Sequence, residues 1–218
     1  MTSSFLPGTP AVPRGAIALL DPATGTVRRV IALQYNPDTV TRTLQPQGVG
    51  AEAGERGEAL RLKGPAQETV KVDVELNATD QLEDPSAADA VARHGLLPVL
   101  AALELLVNPT ARALLDQDTA ARSGAFEIAP VESPLTVFVW SRDRVVPVRI
   151  TEFTVTEEAF DSRLNPIRAK VSLGLRILTV DDLGFAHRGG ALFLAHQRRR
   201  EQLAALHRSV PTFLGGGA

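Results

Sequence analysis

Two carboxylates at positions 73 and 75 come closest, in type and spacing, to catalytic residues. Asp73 and Glu75 alternate with valines, so on a β-strand they share one face and lie about 7 Å apart. Some glycoside hydrolases separate their paired acids by a comparable distance. The chain has only one Trp and one Tyr, however, which leaves no aromatic platform for a sugar. A carbohydrate-active enzyme is one interpretation, and we favour a pair of ordinary surface acids.

Other residues that could carry chemistry lack the spacing that the chemistry requires. The sequence has no cysteine, which excludes disulfides, thiolate zinc sites and cysteine nucleophiles. It has no GxSxG elbow, no GxxxxGK[ST] loop and no twelve-residue calcium loop around its aspartates. The histidines share no metal-ligand spacing, and we expect solvated side chains at His94, His187, His196 and His207. We therefore predict no catalytic residue, no cofactor and no metal.

The densest basic run is Arg198-Arg199-Arg200, in a segment with helical periodicity. Glu201 follows it directly, the formal net charge of the chain is -2, and few aromatic side chains are present to stack on bases. We predict a solvated helix face and no nucleic-acid partner.

Composition predicts a cytoplasmic globular protein. Of the 218 residues, 44% are hydrophobic and 22% charged, which is ordinary for such a protein. The N-terminus has no signal-peptide pattern, and no run reaches the roughly 20 apolar residues that span a bilayer. We predict a flexible arm at 1–15, a β-rich domain at 16–183 with loops at 45–66 and 117–134, and a C-terminal helix with a glycine tail at 184–218.

Strict alternation marks the strands. Residues 168–177 place apolar side chains at odd positions and polar ones at even positions, and residues 69–76 alternate as cleanly. A period of two predicts one buried and one outward face. Residues 145–179 therefore predict a long hairpin with a basic outward strip. The phase of its first arm slips between Ile150 and Phe153, which predicts a β-bulge near Thr151-Glu152.

The remaining segments predict one further strand and two helices. Residues 135–140 are apolar on both faces, as in a strand that is buried on both sides. A helix is predicted at about 86–107, with Pro98 in a first turn. A second helix is predicted at 188–208, with Leu192, Ala195, Arg199, Leu203 and Leu206 near one face.

The sequence resembles the tube-like domain of contractile injection systems, the phage-tail-like particles in which a sheath drives an inner tube through an envelope. The early match is YNP at 35–37 followed by ETVKVDVEL at 68–76. The late match is VFVW at 137–140, VRITEF at 148–153 and LNPIRAKV at 164–171. The resemblance covers residues 16–183.

The resemblance implies a mainly β, α+β fold: an antiparallel β-barrel or sandwich with one flanking helix, here extended by the C-terminal helix. It implies a hexameric ring in which sheets continue across subunits, and Gly174 would mark close approach of a neighbouring backbone. We expect an assembly interface at Arg168, Lys170, Ser172, Gly174, Arg176, Lys71, Asp73, Glu75, Arg198 and Arg199.

The position of the ring within the particle is predicted from segments that a bulk tube subunit does not need, namely the long loops at 45–66 and 117–134 and the C-terminal helix. Relatives often carry a C-terminal LysM module, whereas this chain has a helix and a glycine tail there. We expect an adaptor ring at the baseplate between spike hub and tube, with the helix as a docking site for sheath or wedge proteins. A bulk inner-tube subunit and a free-standing β-sandwich binding module are the alternatives.

Neighbouring residues on opposite strand faces make this interpretation testable. Val171→Asp should unfold the domain, because it places a charge in the predicted core. Lys170→Glu should leave folding intact and impair assembly. Circular dichroism checks the first outcome and electron microscopy of particles the second. Normal assembly of Lys170→Glu would remove the outward face from the interface.

Overall fold

The computed structural model describes residues 14–21, 23–48, 61–82, 88–122 and 133–207. Its strands are β1 (Ala16–Leu20), β2 (Val27–Ala32), β3 (Val40–Gln45), β4 (Gln67–Asn77), β5 (Leu135–Ser141), β6 (Arg144–Phe160) and β7 (Pro166–Ile177). Its helices are α1 (Ala78–Gln81), α2 (Ala88–His94), α3 (Leu97–Glu104), α4 (Ala111–Arg122), α5 (Val180–Leu183) and α6 (Arg188–Leu206).

The strands form one seven-stranded sheet in the order β2-β1-β5-β6-β7-β4-β3, with antiparallel neighbours throughout. The predicted mainly β, α+β class is confirmed. In the described part of the chain, all seven strands belong to this single sheet, and β2 and β3 are its two edges. More than one helix flanks the sheet, where the sequence predicted one.

The main core covers one face of the sheet. Side chains from β4 and β7 alternate between this core and the outside, as the period of two predicts. Val91, Leu100 and Leu103 of α2 and α3 cover them. Burial of each such side chain contributes roughly 1.5–3 kcal/mol. The sheet residues concerned are Val70, Val72, Val74, Leu76, Ala169, Val171, Leu173, Leu175 and Ile177.

Strand β5 is buried on both sides, which confirms the prediction from its composition. Phe138 belongs to the main core. Val137 and Leu135 belong to a second cluster on the opposite face, where Leu183 of α5 and Leu192 of α6 pack against them. The helices α5 and α6 therefore pack on this second cluster, and Phe193 of α6 also reaches the main core.

The predicted bulge in β6 is confirmed. Ile150 pairs with Leu175 and Glu152 with Gly174, so Thr151 is the extra residue. A Cβ at Gly174 would lie 2.8 Å from Cβ of Glu152. The close approach predicted at Gly174 is therefore made by β6 of the same chain.

The segment predicted as one helix at about 86–107 is broken at Gly95. Gly95 has φ +56°, and a Cβ there would lie 2.4 Å from the carbonyl oxygen of Pro166. The next amide, of Leu96, donates to the same oxygen at 2.9 Å. The break thus seats the tip of the β6–β7 hairpin. Pro98 lies in the first turn of α3, as predicted.

The buried face of α6 differs from the predicted one. The helix buries Gly189, Gly190, Phe193 and His196, whereas Ala195, Leu203 and Leu206 are exposed. A Cβ at Gly190 would lie 2.1 Å from the carbonyl oxygen of Gly184. The buried face of α6 therefore carries glycines, because its backbone lies close to that of Gly184. A prediction based on the leucines identifies the wrong face of the helix. His196 is 8% exposed, so the expectation that it is solvated was also wrong.

Two predicted loops are partly described. Helix α4 runs to Arg122, six residues into the range 117–134 that was predicted as loop. Residues 49–60 of the other loop, most of the N-terminal arm and the glycine tail lie outside the described residues. No described helix is long and apolar enough to cross a bilayer.

Gly174→Ala tests the bulge. We expect it to lower the free energy of unfolding by about 1–3 kcal/mol, because the new methyl group overlaps Glu152. Gly48→Ala is the control, since a Cβ there meets no atom within 4 Å. Urea denaturation measures both, and equal stabilities would contradict a steric need for glycine at 174.

Candidate assembly surface

Eight of the ten predicted interface residues lie together on β4 and β7. Lys71 pairs with Gly174, Asp73 with Ser172 and Glu75 with Lys170 across the two strands. Arg168 and Arg176 continue the same row along β7. The structure thus brings these residues onto one outward face, on the side of the sheet away from the main core.

This outward face is charge-balanced, which corrects the predicted basic strip. Strand β6 places acids beside the β7 and β4 cations. Lys71 Nζ lies 3.2 Å from Glu152 Oε2, and Lys170 Nζ lies 3.5 Å from Glu158 Oε1. These side chains are largely exposed, so each pair contributes at most about 1 kcal/mol to stability. The face presents a pattern of charges and not a net charge.

Three further residues of this face have contacts within the chain. Ser172 Oγ donates to Asp73 Oδ1 at 2.6 Å. Arg176 pairs with Asp182 of α5 at 2.6 Å, and Gly174 is buried against the bulge. Arg168, Lys170, Lys71 and Glu75 are exposed, the two lysines within their solvent-exposed ion pairs, so a partner can reach all four.

Arg198 and Arg199 lie elsewhere, on α6. Arg199 Nε donates to Asp143 Oδ1 at 2.8 Å, in the turn between β5 and β6. Arg198 is exposed. The structure therefore does not join these two arginines to the β4–β7 face.

The paired acids of the outward face lie among basic and hydroxyl groups. Ser172 donates to Asp73, and Lys170 is opposite Glu75. A shallow cleft beside them is lined by residues of the β2–β3 connection, including Tyr35 and Asp38. Within the described ranges, no group of three or more histidines and acids is close enough to hold a metal ion.

A second cluster, which sequence reasoning missed, lies at one end of the core. Glu68 is 3% exposed and faces inward in phase with Val70. Arg42 Nε of β3 donates to Glu68 Oε1 at 2.6 Å, and Arg200 of α6 forms an ion pair with Glu68 Oε2. Position 68 is the only charged residue in the inward series at positions 68, 70, 72, 74 and 76. A glutamate in that series was the available sequence signal.

The electrostatics of this cluster follow from burial and pairing. Burial raises the pKa of Glu68, but hydrogen bonds from Arg42 and Arg200 outweigh burial and hold the pKa below its usual 4.5. Burial lowers the pKa of His196, one turn before Arg200, and the charge of Arg200 lowers it further. Glu68 is therefore charged and His196 neutral at neutral pH.

Comparisons with known proteins give a weak likeness to solved structures. No protein-family model matches the chain, and no curated protein matches it. The chain is similar to a chain in the cryo-EM structure of the anti-feeding prophage (AFP) baseplate, 6-fold symmetrised, with 17% identity over 78% of this chain and 93% of that one. The TM-score is 0.26, and a likeness at that level carries no conclusion about fold or function.

Glu68→Gln tests the buried cluster. At pH 7 we expect it to lower the free energy of unfolding by about 3 kcal/mol, because the guanidiniums lose the charge that compensates them. Because the pKa of Glu68 is lower in the folded state than in the unfolded state, its charge stabilises the fold at any pH above the unfolded-state pKa. This contribution is lost as the pH falls through the folded-state pKa. The deficit of the variant should therefore shrink below about pH 4.5.

Urea denaturation across this pH range measures the deficit. Glu152→Gln is the matched control, since the Glu152 side chain is 56% exposed and its carboxylate pairs with Lys71 at the surface. It should cost under about 1 kcal/mol. Equal losses in the two variants would contradict a special role for Glu68.

Proposed function

We propose that this chain is a structural protein of a contractile injection system and forms a hexameric adaptor ring at the baseplate, between the spike hub and the inner tube. The sequence resemblance over residues 16–183 supplies the family. The observation that carries the proposal is the open sheet, which has two edge strands and a long outward hairpin face.

The edges are suited to joining copies. Edge strands with unpaired backbone groups are a liability unless another strand covers them. Both edges here expose large apolar side chains: Val27 and Val30 on β2 are 60% and 58% exposed, and Leu44 on β3 is 47% exposed. Strand addition between β2 of one copy and β3 of the next would cover them and continue the sheet around a ring.

The outward face of β4, β6 and β7 supplies a second contact, to the tube lumen or to the next ring. Its alternating charges favour a partner surface that carries the complementary charges, because electrostatic complementarity contributes more to specificity than to affinity. In this setting Lys170→Glu places a new carboxylate next to Glu158 and opposite Glu75. We expect the charge reversal to disturb assembly while the core residue Val171 is untouched.

The C-terminal helix supports the adaptor role over that of a bulk tube subunit. The last two turns of α6 are exposed, including Leu203 at 40% and Leu206 at 75%. We propose that this end docks on sheath or wedge proteins. The role is structural and not enzymatic, and it places the protein in the cytoplasm and then in the assembled particle.

Cryo-electron microscopy of particles purified from the native host tests this function. We expect a single six-copy layer of this chain at the junction of tube and baseplate. Many stacked layers along the shaft would identify a bulk tube subunit instead. Absence from every particle would overturn the proposal and leave a free-standing binding module.

A further inference from the structure

Arginines outnumber acids around Glu68. Arg42 and Arg200 both bind its carboxylate. Arg144, the first residue of β6, is half-buried and interacts electrostatically with Arg42, Glu68 and Arg200, but its side chain forms no hydrogen bond or ion pair with any described residue. The neighbouring acid, Asp143, is already bound to Arg199. Three guanidiniums therefore face one carboxylate, in a chain whose overall charge is slightly negative.

A second polar group in this region lacks a partner. His196 is more than nine-tenths buried, and its Nδ1 has no hydrogen-bond partner in the described residues. It lies one turn from Arg200 on the same side of α6. Native structures pair nearly all buried polar groups, so the unpaired imidazole nitrogen, together with the excess of positive charge around Glu68, favours a polar partner from outside the chain.

The arginines remain reachable from solvent. The side chains of Arg42 and Arg200 are each 29% exposed, whereas Glu68 beneath them is 4% exposed. Arg42 lies on β3, an edge strand of the sheet. A carboxylate that reaches Arg42 and Arg200 also comes within range of the charge of Arg144, which interacts electrostatically with both.

We infer that Arg144, together with Arg42 and Arg200, receives a carboxylate from an acidic segment of a neighbouring subunit. A guanidinium fork matches a carboxylate in two parallel hydrogen bonds. A carboxylate adds one negative charge, whereas a phosphate group would bring nearly two next to the buried Glu68. The existence of the neighbouring subunit rests on the proposed function.

Binding of a hexaglutamate peptide to the full-length purified chain tests the site. We expect Arg144→Gln to weaken binding at low salt by about tenfold or more, as for loss of a charge-assisted bidentate pair. Arg149→Gln is the matched control: Arg149 is an exposed arginine of the same strand, and its loss should change affinity by less than about twofold. Thermal melting should show both variants folded.

Three results would overturn the inference. Equal weakening by the two variants would mean that the peptide binds by general attraction. Inorganic phosphate that binds more tightly than the peptide, and through Arg144, would assign the site to phosphate. Much tighter peptide binding after Glu52, Glu55 and Glu58 are all changed to Gln would mean that acids of this chain itself occupy the site.

This test is separable from the test of the proposed function. Normal rings in particles that carry Arg144→Gln, without Arg144-dependent peptide binding, would remove the site and leave the adaptor role standing. Arg144-dependent peptide binding by a chain that is absent from all particles would leave the site standing and remove the adaptor role.

Discussion

The buried carboxylate of Glu68 constrains the arrangement of the sheet and its C-terminal helix. A charge at that depth is tolerated only when it is paired and hydrogen-bonded, and its two partners come from distant parts of the chain, Arg42 of β3 and Arg200 of α6. The pairing therefore fixes both the edge strand β3 and the end of the core that α6 covers. Phe193, two turns before Arg200, packs into the main core on the same helix. Charge pairing and apolar burial thus hold α6 in one position.

The bulge at Thr151 is the second organising feature, because it lets one 17-residue strand serve two environments. Before the bulge, Val146 and Val148 face the core, and after it Phe153 and Val155 do. The extra residue returns the apolar side chains of β6 to the face on which the apolar side chains of β7 lie. Gly174, which has no side chain, leaves space for this extra residue. As a result, the polar side chains of β6, β7 and β4 stay on one continuous outward face. That face depends on the bulge as much as the core does.

The two polar regions of the molecule differ in their electrostatics. The outward face pairs its cations with acids on adjacent strands, so it exerts little long-range attraction and selects partners by local pattern. The arginine cluster around Glu68 keeps an excess of positive charge beside a sheet edge. A partner that presents acidic groups would be attracted there first, and the patterned face would then fix its register. The proposed ring assigns these two roles to two surfaces of one subunit.

The sequence alone determined the elements whose signal is local. Period-two alternation defined β4 and β7 and their buried faces, the phase slip located the bulge, and a largely apolar run identified β5 as buried on both sides. Only the tertiary structure decided which elements meet. Strand pairing placed Glu152 beside Lys71 and so neutralised a face that is basic when β7 is considered alone. Backbone contacts with Pro166 divide the predicted helix at Gly95. Close approach to Gly184 places Gly190 on the buried face of α6, whereas the leucines had indicated a different face. Some of these contacts join residues that are far apart in the chain, and others require a position without a side chain. Local periodicity predicts neither kind of contact.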